Sequence, residues 1–350
     1  MSRIPVTVLT GFLGSGKTTL LQRLLNEEGG RGAAVLINEF GAVGLDHLLV
    51  RTMTVPAVVL QNGCICCTVR SDLRNGLRDL VDARDRGEIP PFDRILVETT
   101  GLADPVPIVQ TLTADPMLRH QLRLANLVTT VDVLHGSGQI DAHQEALRQA
   151  ALADRLALTK TDIAGPAEVE AVRTRIAAVN PAAPVIDTHA APNLWDALMG
   201  TDASDPQRMA DEARLWLSRL PAAPSPVFEF SPGAAAEPTH SMRSFAVRFE
   251  QEIDWTAFAV WLSAMVHRHG RSLLRIKGLL NIPGSPGPIV LNAVQNFIHP
   301  PQHLESWPDG DRSSRLVFIV DGLEPEAVRR SLLEFVEAAT PMAAERQSIR

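Results

Sequence analysis

The chain has 350 residues, enough for two domains of ordinary size, and 45% apolar with 21% charged residues is the composition of a folded globular protein rather than a disordered one. A formal charge of −7 and the lack of any long Lys/Arg block argue against a nucleic-acid binder, and no apolar run approaches the ~18 residues of a membrane helix. Three cysteines, all between positions 64 and 67, cannot staple distant parts of the chain, so a cytoplasmic protein is expected.

In chain order, Ile4 to Thr10 is an apolar, β-branched run that reads as a strand. It feeds Gly11-Phe-Leu-Gly14-Ser15-Gly16-Lys17-Thr18, a full match to the phosphate-loop pattern in the strand-then-turn context that the pattern requires. The glycines let backbone N–H groups curl around phosphate oxygens, Lys17 supplies a cation, and Thr18 offers a hydroxyl to Mg²⁺. Thr19 to Leu25 continues at helical spacing, which places bound phosphates at a helix N-terminus where the backbone dipole favours anions.

Ala33 to Asn38 reads as a second strand. It ends at Glu39-Phe-Gly-Ala-Val-Gly-Leu-Asp46, either a nucleotide-sensing loop or an ordinary surface loop. Val55 to Leu60 is a third strand, and Cys64-Ile-Cys66-Cys67 follows before a helix over 71–85. Three thiols within four residues suit one soft cation, Zn²⁺ first, and three ligands leave a coordination position open for exchange. A redox switch and inert packing are the alternatives for this cluster.

Pro91 to Glu98 is the next strand, with Thr99-Thr-Gly101-Leu-Ala-Asp-Pro105 after it. A carboxylate at a strand tip can hold the Mg²⁺ shell, and Gly101 can turn its N–H toward a γ-phosphate; the alternative is a capped strand and turn. Leu124 to Asp132 and Asp154 to Thr159 are two more strands, with a helix over 141–151 between them. The second delivers Thr159-Lys160-Thr161-Asp162, similar to the NKxD guanine reader. There the carboxylate accepts from N1 and N2 of guanine, whereas adenine presents an acceptor at N1. A helix over 167–179 and a strand over 184–187 complete an alternation that predicts a parallel sheet with helices on both faces and ligands at the strands' carboxyl ends.

The boundaries read as a P-loop domain over 1–200, a Pro/Ala/Ser-rich linker over 201–242 with a short helix near 210–220, and a smaller α+β domain over 243–345. In the last, strands are expected at 244–249, 274–280, 287–294 and 315–320, and helices after Asp254 and from Pro325. Trp255, Phe258, Leu262 and Met265 read as core residues of the first of these helices. The pairs His267/His269 and His299/His303 read as solvated or capping residues before metal ligands.

With the glycine loop, the Asn38-Glu39-Phe40-Gly41 segment, the cysteine motif, Glu98 to Pro105 and Thr159 to Asp162 in that order, the chain resembles the CobW family of metallochaperone GTPases, relatives of UreG and HypB, and within it the YjiA branch. Arg275 to Gly278, Ser306 to Asp311 and Arg315 to Ile319 resemble the family's C-terminal domain. The resemblance implies a GTPase that binds zinc, or cobalt, and passes it to a client metalloprotein in a step tied to hydrolysis. Gly11, Gly14, Ser15, Gly16, Lys17, Thr18, Thr19 and Gly101 would hold phosphates and Mg²⁺, with Glu98 in the Mg²⁺ shell. Lys160 and Asp162 would read guanine, Thr159 is a further nucleotide-binding candidate, and Cys64, Cys66 and Cys67 would carry the transferable ion. Glu39 is a metal or switch candidate, and Lys17, Glu98 and Glu39 are the catalytic candidates. Ala42 and Thr159 depart from the commoner family residues. The rivals are a P-loop kinase or ATPase, a metal-responsive interaction protein and a thiol redox switch. The sequence names no client or water-activating residue and leaves the oligomeric state open, a homodimer included.

Overall fold

The computed structural model describes residues 3–40, 57–62, 68–199, 206–218, 227–230 and 241–347. The chain divides into two compact units, Met1–Arg173 with Ala183–Ala203, and Thr174–Ala182 with Ser204–Arg350.

The first unit is built on seven strands, β1 (Ile4–Gly11), β2 (Ala33–Phe40), β3 (Ala57–Asn62), β4 (Arg94–Glu98), β5 (Leu122–Asp132), β6 (Arg155–Thr159) and β7 (Val185–Asp187). Their order across the sheet is β3-β2-β4-β1-β5-β6-β7, and every neighbouring pair is parallel. Helices α1 (Lys17–Asn26), α2 (Thr68–Asp85), α3 (Val106–Ala114), α4 (Pro116–Gln121), α5 (Gly136–Ala142), α6 (Gln144–Leu152), α7 (Pro166–Val179) and α8 (Leu194–Met199) connect them, and the division between the units falls inside α7. Strands covered on both faces carry continuous apolar runs, and Val6, Val8, Val35, Leu36, Leu96 and Val97 are all fully buried. On α2 the predicted stripe of Leu73, Leu77, Leu80 and Val81 is buried as its spacing requires.

Sheet order decides where a ligand can sit. From β1 the chain winds to one side of the sheet through β2, β3 and β4, then crosses to the other for β5, β6 and β7, so a crevice opens at the carboxyl ends of the central strands. Register brings Glu98 beside both Leu9 and Ile37, Gly11 beside Thr130, and Asp132 beside Thr159. The strand tips therefore converge on the glycine loop.

The second unit is an antiparallel sheet of order β12-β11-β10-β14-β9-β8, with β13 also on β11. Its strands are β8 (Val227–Phe230), β9 (Met242–Phe249), β10 (Leu273–Leu280), β11 (Ile289–Val294), β12 (Phe297–Ile298), β13 (Gln302–His303) and β14 (Ser314–Asp321). The helices are α9 (Pro206–Leu217), α10 (Trp255–His269) and α11 (Pro325–Gln347). The Asp254 carboxylate accepts from the Ala257 N–H at 2.8 Å and so caps α10, as its position before the apolar stripe predicts. Leu316, Phe318 and Val320 of β14 meet Phe258, Trp261 and Leu262 of α10, while Val317, on the opposite face, packs with Trp216 of α9. Of the four residues expected in the α10 core, Trp255 is only half-buried, and Trp261 takes the central place.

The segment read by composition as a linker holds two elements. The short helix expected near 210–220 is α9, a few residues earlier at 206–217, whereas 227–230 form an unexpected strand, β8, paired antiparallel with β9. Ala213, Trp216 and Leu217 form a short apolar stripe that is buried, and the surrounding Pro- and Ala-rich text dilutes it. No helix among the described residues is long and apolar enough to cross a membrane.

Trp216→Ala should cost the second unit about 3–5 kcal/mol, because it removes a fully buried indole and leaves a cavity, and Trp216→Phe less. A denaturant midpoint that hardly moves for the alanine variant would show that α9 does not seal this face of the sheet.

Candidate functional site

The loop between β1 and α1 takes its shape from three glycines at positive φ. Gly11 has φ +144°, Gly14 +72° and Gly16 +85°, all in the region where side chains are strained. At Gly11 a Cβ would also lie 2.1 Å from Thr130 Oγ1 and 2.6 Å from the Thr130 carbonyl, so the loop can lie against β5 only without a side chain there. Ser15 is buried, and its Oγ shares a 2.6 Å hydrogen bond with Thr130 Oγ1. The Ser15 carbonyl accepts from Thr159 Oγ1 at 2.8 Å, and the Thr10 carbonyl from Thr130 Oγ1 at 3.2 Å. The loop is thus tied by hydroxyls to two strands.

Lys17 opens α1 and is buried to within 9% exposure. Its Nζ arches back to donate to the Gly11 and Phe12 carbonyls at 3.0 and 3.1 Å. The helix begins with no side-chain cap and no acidic residue in its first turn, so its dipole and leading N–H groups are offered to an anion. Thr18 Oγ1 donates to Glu98 Oε1 at 2.6 Å, which brings together the two hard oxygen ligands assigned to Mg²⁺. Thr19 is exposed on the first turn. The cradle at Gly11, the ammonium at its rim and the hydroxyl–carboxylate pair fit a phosphate group with a divalent cation.

Gly101 fits against the same loop, since a Cβ there would meet the backbone N and Cα of Leu13 at 2.8 and 2.9 Å. The Thr99 hydroxyl donates to Thr10 Oγ1 at 2.9 Å, closing the turn after Glu98 onto the tip of β1.

On the other side, Lys160 carries φ +61°, the left-handed conformation that turns the chain out of β6. Its Nζ reaches Asp132 Oδ2 at 2.6 Å, and Thr161 Oγ1 donates to Asp187 Oδ1 at 2.6 Å, so the segment before the exposed Asp162 is held at two points. Burial by itself would raise the Asp132 carboxyl. Hydrogen bonds from Lys160, His135 and the Leu134 N–H, with the Lys160 charge, outweigh it and hold the group below the ordinary carboxylate range. Asp187 is held low in the same way, burial opposing and the Thr161 hydroxyl with the Ala190 and His189 N–H groups prevailing.

The Thr159 hydroxyl is directed to the Ser15 and Val131 carbonyls, so it braces the loop. The Ser15 side chain is likewise turned to β5. Glu39 is the penultimate residue of β2, opposite Gln61 on β3. Ala42, Asp46, Cys64, Cys66 and Cys67 lie outside the described residues. Asp132 went unassigned by sequence, although it ends an apolar strand in the same manner as Glu98. The histidine pairs give no centre: His267 and His269 end α10, His299 is buried edge-on to Phe297, and no group of three metal-binding side chains occurs among the described residues.

A parallel α/β sheet whose first strand runs through such a loop into a helix, with a carboxylate at the neighbouring strand tip, defines a P-loop nucleotide-binding protein. The chain belongs to the CobW/HypB/UreG family: that family's nucleotide-binding domain matches residues 5–187, and the cobalamin synthesis protein cobW C-terminal domain matches residues 242–336. It is 35% identical over 330 residues to the zinc chaperone YjiA of Escherichia coli, spanning 94% of this chain and 98% of that one. To the zinc chaperone CobW of Pseudomonas aeruginosa it is 31% identical over 366 residues, spanning 95% and 91%. The crystal structure of Zn(II)-bound YjiA GTPase from E. coli aligns with a TM-score of 0.65, covering 96% of this chain and 99% of that one. Over that superposition the two chains are 28% identical.

For Asp132 the sign of the pH effect is fixed. A carboxyl held below its ordinary 3.8 contributes stability fully above that value and loses it as pH falls through the lower folded value. The stability gap between wild type and Asp132→Asn should therefore close on acidification below about pH 4. Denaturant midpoints measured across that range check it, and a gap that widens in acid contradicts the assignment.

Proposed function

We propose that this protein is a GTP-hydrolysing zinc metallochaperone, which carries zinc on Cys64, Cys66 and Cys67 and hands it to a client metalloprotein in a step coupled to hydrolysis. One observation carries the reading: β3, β2, β4 and β1 are adjacent and parallel, so the chain leaves β3 toward the cysteines at the same sheet edge where Gly11, Thr18 and Glu98 assemble. The names of the two zinc chaperones and of the zinc-bound GTPase structure support zinc over cobalt as cargo.

In this reading the loop N–H groups and the N-terminus of α1 take the β-phosphate. Lys17 exchanges two neutral carbonyl acceptors, Gly11 and Phe12, for phosphate oxygens, and hydrogen bonds between ionised partners are the stronger kind. Thr18 and Glu98 hold Mg²⁺, which supplies charge neutralisation to the phosphate oxygens. Gly101, pressed on the loop at Leu13, offers its N–H to the terminal phosphate. Asp162 accepts from N1 and N2 of guanine, with Lys160 held beside it by Asp132. Glu39 stands near the carboxyl end of β2, the strand between β3 and β4, and is the candidate to sense either ligand.

Coupling is reciprocal: if GTP strengthens zinc binding, zinc strengthens GTP binding by the same factor. Competitive zinc titration of the protein loaded with a GTP analogue or with GDP should give tighter binding for the first, and the difference should vanish in Cys66→Ala. Equal affinities in the two nucleotide states would remove the delivery step while leaving a zinc-binding GTPase. Base choice is tested separately. GTP should outcompete ATP by at least about tenfold in wild type, and Asp162→Asn should erase that preference through loss of the paired acceptors. An ATP preference in wild type would place the protein among the P-loop ATPases.

A further inference from the structure

We propose that Gln149 is a positioning residue for the triphosphate state: its carboxamide holds the turn after Glu98 against the glycine loop, so that Gly101 is aimed before nucleotide arrives. The proposal rests on the reading above that Gly101 faces the terminal phosphate.

Gln149 lies on α6 and is completely buried. Its Nε2 donates to the Gly101 carbonyl at 3.1 Å and to the Ala103 carbonyl at 2.9 Å. A flipped amide would set an acceptor oxygen against two carbonyl oxygens at those distances, so its orientation is dictated. The other end, Oε1, is buried with no hydrogen-bond partner among the described residues. Burying a polar atom in that way is unfavourable, and a leucine of similar volume would avoid it. What only the amide supplies is the pair of N–H donors. They address two of the three carbonyls over Gly101 to Ala103, a turn with no strand or helix bonds of its own.

The same helix grips the turn again and touches the loop. Arg148 donates to the Asp104 carboxylate at 3.2 Å, and the ring of His143, just before α6, stacks on Phe12 of the glycine loop with centroids 4.6 Å apart. The Gln149 backbone carbonyl accepts from Thr129 Oγ1 at 2.8 Å, which anchors that part of α6 to β5. The turn is therefore clasped between Leu13 of the loop on one side and α6 on the other. A diphosphate fills the loop without reaching Gly101, whereas a triphosphate needs Gly101 in place, so loss of the clasp should act on one nucleotide and not the other.

The experiment uses the full-length protein with fluorescent GDP and a fluorescent non-hydrolysable GTP analogue. Gln149→Leu should weaken the triphosphate about tenfold, as expected for two neutral hydrogen bonds, and leave the diphosphate within about twofold. Gln149→Glu supplies the second test. As a neutral acid it donates one proton to a turn carbonyl, and as an anion it repels both, so its triphosphate preference relative to wild type should fall as pH rises. Equal weakening of both nucleotides would overturn the assignment by showing a purely structural role. An unchanged ratio in folded Gln149→Leu, or a Gln149→Glu ratio that stays flat relative to wild type across pH, would also overturn it, and if the leucine variant does not fold, the pH profile of Gln149→Glu decides. A wild type that binds neither guanine nucleotide removes the underlying reading of the site, and this assignment with it.

Discussion

The whole functional edge depends on how closely the glycine loop lies against β5 and β6. Between Gly11 and Thr130 there is no room for a methyl group, and hydroxyls of Ser15, Thr130 and Thr159 knit the loop to the strands in place of packed side chains. That closeness lets one short segment meet Glu98 on β4 at Thr18, the Thr99–Gly101 turn at Leu13, and α6 at Phe12. Buried hydroxyl contacts are strong only when every partner is present, so the loop, the turn and the base-reading segment behave as one unit.

Much of this was legible in the chain itself. Apolar runs marked the central strands because a parallel sheet buries both faces, and the glycine spacing marked the loop because side chains at those φ values are strained. Glu98 was legible because a carboxylate ending a buried strand has few reasons to be there. Asp132 satisfies the same criterion and passed unnoticed, because the signal for it lies in the ion pair with Lys160, 28 residues further on. Thr159 is the reverse case: the motif marks the position, but that its hydroxyl donates to the Ser15 carbonyl is an orientation that no spacing rule contains.

In the second unit the order of elements was readable and the limits of the linker were not. Alternation over β9 and the cap at Asp254 depend on neighbours in sequence, and so survive in the text. α9 is held by Trp216 against β14, about 100 positions away, and its flanks carry Pro, Ala and Ser. Composition describes what surrounds a helix better than what one tryptophan on it will find.

Strand order also governs how the protein can be made. β1 and the glycine loop leave the ribosome ahead of the strands that hold them: the hydroxyl that receives Ser15 comes 115 residues later and the one that braces the loop from β6 comes 144 residues later. During synthesis the phosphate-binding segment is therefore an unfinished surface beside an unpaired hydrophobic strand, the condition in which nascent chains attract chaperones or one another. Nucleotide can begin to stabilise the protein only after β5 and β6 have closed on that segment, which makes the ligand a guardian of the finished domain and no help to the emerging one.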